Sequence, residues 1–192
     1  LKQEQLSRTL MDVFTQATMD GKRYIARQLV VIGTPSIVPK MAPYLESEET
    51  IDIACRVLEQ IPGKESTQAL INALNKPLSD SLKVAIINSL GRRRDELAIG
   101  TLQKFLDSPV KDLRDSALFA LSEIPSVKSA GVLWTWGKHK LASGEKRVIE
   151  SLLKVADNVS QLEDGKKISA SIFEAVYENP NSSAVCRVNA LQ

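Results

Sequence analysis

His139 is the only histidine in this 192-residue chain. A Ser-His-Asp relay needs an imidazole held beside a hydroxyl and a carboxylate. The basic run Lys138-His139-Lys140 offers no such setting. Metal chemistry meets the same shortage. Cys55 and Cys186 lie far apart, and with one histidine they leave mainly carboxylates as ligands, so no catalytic metal and no cofactor is expected. The two thiols read as unpaired cysteines in or near the core.

Two clusters remain that could do chemistry by binding. Arg92-Arg93-Arg94, with Lys83 nearby, is the densest basic group and could clamp phosphates. In structural terms it sits where a helix ends, and cations there interact with the dipole and cap free carbonyls. Trp134 and Trp136, with Lys138, His139 and Lys140, form the one combination of aromatic and basic residues. The simpler reading packs one indole in the core and leaves the other on a rim. Asn158-Val159-Ser160 and Asn181-Ser182-Ser183 fit the glycosylation sequon, a pattern that recurs freely by chance.

Composition argues against several classes of partner. The chain carries 25 basic and 23 acidic residues for a net charge of +2, which points to neither a nucleic acid nor a membrane surface. The longest apolar run, Leu29 to Gly33, is far too short to span a bilayer. Aromatics make up only 5%, so Leu, Ile, Val and Ala must fill the interior, which suits close helix packing.

The elements that position these residues repeat. Ala117, Ala120, Leu121 and Ile124 occupy i, i+3, i+4 and i+7, one face of a helix. The same template fits Ile25, Gln28, Leu29 and Ile32, then Ala54, Val57, Leu58 and Ile61, and also Ile149, Leu152, Leu153 and Ala156. Ile86, Ser89, Leu90 and Arg93 fit it less closely. The anchors Ile25, Ala54, Ile86, Ala117 and Ile149 follow at steps of 29, 32, 31 and 32 residues. Turn signals such as Gly33-Thr34-Pro35, Pro62-Gly63 and Pro125-Ser126 follow the anchored helices. A second amphipathic segment comes next, as in Ile37, Val38, Met41 and Leu45, or Leu97, Leu102, Phe105 and Leu106. The unit is therefore helix, turn, helix, turn, with eleven or twelve helices and no strand expected. One hairpin cannot bury its apolar face alone, so stacked neighbours must complete it. The expected fold class is all-α, an α-α superhelix or α-solenoid, with Leu29, Leu58, Leu90, Leu121 and Leu153 buried at equivalent places.

Residues Leu113 to Pro125, with Leu82-Lys83, Ser89-Leu90-Gly91 and Ile32-Gly33-Thr34-Pro35, resemble short bacterial HEAT-like repeats of the phycobilisome-lyase type. The resemblance runs from about Lys22 to Glu178. It implies an armadillo-like array of about six hairpins over residues 1–192 as a single repeat domain, with the second helix of each pair lining the concave face. The first pair uses Gln3 to Met19 with Lys22 to Ile32. The sixth begins near Gly165, and Cys186-Arg187-Val188-Asn189-Ala190 resembles another inner-helix start, so the natural chain is expected to continue past Gln192. The resemblance also places Trp136 where Tyr44 sits. Some HEAT-like DNA glycosylases read damaged DNA with aromatic and basic residues, but no matching catalytic aspartate context accompanies Trp134. Di-iron hydroxylases on this scaffold need several His-Glu pairs, which this chain lacks.

These readings imply a non-enzymatic scaffold that binds another protein or a peptide. The alternatives are a nucleic-acid-binding module, using Arg27, Arg56, Arg92 and the Trp134 region, and a spacer domain of a larger enzyme. Near-neutral charge disfavours nucleic acid. The position two after each anchor lies about 200° around the helix. The candidate partner-binding ladder on the concave face is therefore Arg27, Arg56, Asn88, Phe119 and Ser151. In that role Arg27 and Arg56 would take carboxylates, and Phe119 would be an apolar anchor.

Overall fold

Wherever apolar residues recur every three or four positions, the backbone is helical. The computed structural model describes residues 2–190, and among them are twelve α-helical segments and no strand. The course of the chain at Leu191 and Gln192 lies outside the described residues. By Cα packing the chain divides into two compact units, Leu1–Arg93 and Arg94–Gln192.

The first unit holds three hairpins. Helix α1 (Lys2–Gln16) pairs with α2 (Met19–Ile32), which opens on a Thr18 cap whose hydroxyl accepts from the Gly21 N–H. A broken segment follows: a 3-10 turn at Pro35–Ile37, the short α3 (Val38–Met41), and a second 3-10 stretch at Ala42–Glu46. It packs with α4 (Ile51–Gln60). Helix α5 (Lys64–Leu74) then pairs with α6 (Asp80–Arg93). The second helices, which the resemblance assigns to the inner row, stack with α4 packed between α2 and α6. Anchors Ile25, Ala54 and Ile86 are buried, as are Leu29, Leu58 and Leu90.

The broken outer segment carries Pro39 and Pro43, which each lack the N–H that would continue an α-helical ladder. The same break recurs at 96–105 without a proline, so proline is not its sole cause. The apolar residues Ile37, Val38, Met41 and Leu45 are nonetheless all buried. Gly63 precedes α5 at φ 92°, a left-handed conformation that glycine takes without steric cost.

The second unit repeats the plan. A 3-10 turn at Glu96–Ala98, short α7 (Ile99–Leu102) and a turn at Gln103–Phe105 lead into α8 (Lys111–Glu123). Helix α9 (Val127–Gly137) and its 3-10 extension Lys138–Ser143 pack on α10 (Lys146–Ser160). Helix α11 (Lys166–Glu178) packs on α12 (Ala184–Asn189). Anchors Ala117 and Ile149 are buried, with Ala120, Leu121 and Ile124 beside Ala117.

Two expectations need correction in this unit. Leu153 is only half-buried, while Leu152 is fully enclosed together with Val148, Val155 and Val159. Helix α10 packs against α8, α9, α11 and α12, and its buried arc is turned by about one residue relative to that of α8. The close approach of α9 contributes, since a Cβ on Gly137 would stand 3.2 Å from Leu152 Cδ1. Leu97, read as part of an amphipathic face, is exposed; Leu102 and Leu106 carry that face inward.

Candidate partner-binding faces

In the first unit the inner helices present Arg27 on α2, Arg56 on α4 and Asn88 on α6. Both arginines are exposed and Asn88 is half-buried. A groove of about 250 Å³ between α2 and α4 is lined by Arg23, Ala26, Arg27, Asp52, Ile53 and Arg56. A second, of about 470 Å³ between α4 and α6, includes Asp52, Arg56, Glu59, Asn88, Ser89 and Arg92. Arg56 and Asp52 border both. The geometry follows from the repeat, because residues two beyond a buried anchor must emerge on the opposite side of the helix.

The cations along these grooves differ in how far they are committed. Arg23 Nη1 is 2.9 Å from Asp20 Oδ1 on its own helix. Arg92 Nη1 is 3.0 Å from Glu59 Oε1, and the same oxygen accepts from the Ser89 hydroxyl at 2.7 Å. Arg27 and Arg56 have no hydrogen-bond or ion-pair partner among the described residues.

The remainder of the arginine cluster is structural, though not as the sequence suggests. Arg93 does not cap its own helix. Its Nη1 donates to the Leu58 carbonyl, to Glu59 O at 3.1 Å and to Ile61 O at 2.8 Å, closing the end of α4. Its Nη2 reaches Gly63 O at 2.8 Å, and its Nε reaches the Thr67 hydroxyl at 3.0 Å. Within the second unit, Arg94 Nε donates to Glu123 O at 2.8 Å, at the end of α8. Lys83 lies 4.0 Å from Asp80, one turn away on α6.

Cys55 sits on the wall of the second groove but is buried, and burial pushes its thiol up to about 12. At neutral pH it carries no thiolate and is a small apolar side chain. Cys186 is buried on α12.

The second unit's half of the ladder does not form as expected. Phe119 is half-buried, and Ser151 is only 4% exposed. The buried arc of α10 is turned toward Val148, Ser151, Leu152 and Val155, so the position two after its anchor is enclosed rather than open. A different concavity stands at the α10–α12 end. It is a groove of about 740 Å³ lined among others by Lys146, Leu153, Lys154, Asp157, Phe173 and Val185. The residue that sequence periodicity assigned to the core, Leu153, thus forms part of a wall.

The tryptophans are both half-buried. Trp136 Nε1 donates to Asp107 Oδ1 at 2.7 Å, and Lys140 Nζ lies 4.6 Å from its ring centre. Neither indole is fully enclosed, which corrects the expectation of one in the core. Tyr44 is likewise half-buried, edge-on to Phe14 at 5.0 Å. His139 is exposed. Asn158 and Asn181, the two sequon asparagines, donate through Nδ2 to Ser122 O and Ala142 O, each at 2.7 Å.

Among the described residues no group of three or more His, Cys, Asp or Glu is placed to hold a metal ion, and no helix is long and apolar enough to cross a membrane.

Paired helices with a buried inner row define a helical-repeat protein of the α-solenoid class. Residues 46–122 match the family model described as HEAT repeats. Among solved structures it is similar to an engineered protein from the Northeast Structural Genomics Consortium, at TM-score 0.57 and 16% identity over 95% of this chain and 92% of that one. It is also similar to a designed armadillo repeat protein in complex with the peptide (KR)4, at TM-score 0.55 and 16% identity over 96% of both chains. No curated protein sequence matches the chain.

Proposed function

We propose that this chain is a non-enzymatic scaffold whose inner helices bind another protein or a peptide. The observation that carries the reading is the pair of uncommitted guanidinium groups, Arg27 and Arg56, standing along open grooves of the inner helices. Other arginines nearby are committed within the fold, Arg93 on the end of α4 and Arg92 on Glu59. Two charges left free beside shallow clefts suit recognition of a partner surface, since the fold has no need of them. The designed armadillo protein lends support, because a similar helical-repeat fold is in complex with a peptide, (KR)4. On the second unit the proposed contact is Phe119, whose half-exposed ring could serve as an apolar anchor. Ser151, being enclosed, has no part in it.

The test is affinity capture from native extract with the folded chain immobilised, with and without nuclease treatment. Retention of a protein that survives nuclease, identified by mass spectrometry and reproduced as a defined complex by calorimetry, is expected. Retention only of nucleic acid, or of nothing above a denatured control, would contradict the proposal.

A further inference from the structure

We infer that the two grooves of the first unit take an extended acidic peptide, with a carboxylate side chain at about every third residue. The inference rests on the scaffold reading and adds to it the chemistry and register of the partner.

Charge gives the class of ligand. Arg23, Arg27, Arg56 and Arg92 line the grooves against only two carboxylates, Asp52 and Glu59. Glu59 is already held by Ser89 and Arg92, and Arg23 by Asp20. The uncommitted groups are therefore Arg27 and Arg56, with Asp52 the one free acid beside them. A guanidinium fork accepts a carboxylate in a bidentate pair, which a ligand acid can supply at each rung. A basic peptide would meet two unpaired arginines on the same surface and is disfavoured.

Geometry gives the register. Packed helices stand about 8–10 Å apart, so equivalent residues on α2 and α4 are separated by roughly that distance. A polyproline-type strand turns once in three residues and rises about 3.1 Å per residue, bringing every third side chain onto one face at about 9 Å. Successive acids of such a peptide match successive rungs at Arg27 and Arg56. On the third rung stands Asn88, whose side-chain amide is uncommitted and half-buried. An amide both donates and accepts, and so can pair with the peptide backbone there. Nucleic acid is the poorer occupant, because Asp52 borders both grooves and would repel a continuous phosphate chain.

The experiment is fluorescence anisotropy with the whole chain and a labelled nine-residue peptide bearing Glu at every third position among Pro and Ser. Controls are a scrambled peptide of the same composition, a Lys counterpart and a single-stranded oligonucleotide of matched charge. The Glu peptide is expected to bind more tightly than all three, and to weaken with added salt. Arg27→Gln and Arg56→Gln should each weaken it about threefold, and the double variant about tenfold. Both residues are exposed, and circular dichroism checks that the variants fold. Equal binding of the scrambled peptide overturns the register. No binding of the Glu peptide, tighter binding of the oligonucleotide, or an unaffected double variant overturns the inference. If extract capture of a protein succeeds while these peptide measurements fail, the scaffold reading stands and this one falls; if capture also fails, both fall.

Discussion

Arg93 Nη1 donates to the carbonyl oxygen of Ile61 at 2.8 Å, so the end of one inner helix is closed by the last residue of the next. Helices leave their final carbonyls without intrahelical partners, and here a planar guanidinium from α6 meets several of them at once. The departure of Arg93 from the apolar repeat pattern is thereby explained: this position caps a neighbour instead of filling the core.

Replacing Arg93 by Ala should cost about 2–3 kcal/mol, because buried carbonyls lose charged donors. Arg93→Lys should recover only part, since a single ammonium cannot reproduce the fork. Arg56→Ala, which breaks no bond, should stay within about 0.5 kcal/mol of the parent. Urea denaturation followed by circular dichroism measures all three. Equal stability of the Arg93 and Arg56 variants would refute the capping role.

The core registers of α8 and α10 make opposite demands on adjacent leucines. Leu121→Ala and Leu152→Ala remove fully buried side chains and should each cost about 2–5 kcal/mol. Leu153→Ala should cost clearly less, about 1 kcal/mol, since that side chain is half-exposed on a groove wall. Should Leu153→Ala prove the most damaging of the three, the packing of α10 described above is wrong.

Cys55 predicts an alkaline effect. Its folded thiol is raised, chiefly by burial, from an ordinary 9.0 to about 12. A group raised on folding stabilises fully below its unfolded value and loses that contribution as pH rises through the folded one. Between pH 9 and 12 the unfolded chain binds fewer protons, so the parent should lose stability relative to Cys55→Ala. Thermal melts of the pair across that range check the slope. In the native protein at pH 8, Cys55 should also resist a thiol reagent that labels it in denaturant. Parallel pH curves for parent and variant would contradict the burial of this thiol.

Much of the fold was legible because a buried helix face leaves a period in the sequence. Anchors Ile25, Ala54, Ile86, Ala117 and Ile149 are all buried as their spacing predicts. Periodicity failed where the buried arc of a helix is turned away from the common register. Ser151 follows the ladder rule and yet is enclosed, because the buried arc of α10 is centred on Leu152 and Val155. It also could not say which member of Arg92-Arg93-Arg94 reaches another helix, since that depends on tertiary approach and leaves no local pattern. The amphipathic pattern of Ile37, Val38, Met41 and Leu45 concealed the broken outer helix, although Pro39 and Pro43 stand within it.

The most direct test of a binding face on the inner helices is nuclear magnetic resonance of the arginine side chains during titration with the captured partner or the Glu peptide. The Nε–Hε signals of Arg27 and Arg56 should move together and saturate at one equivalent, while that of Arg93, already engaged on α4, stays in place. A bound partner that leaves both Arg27 and Arg56 unmoved would contradict it.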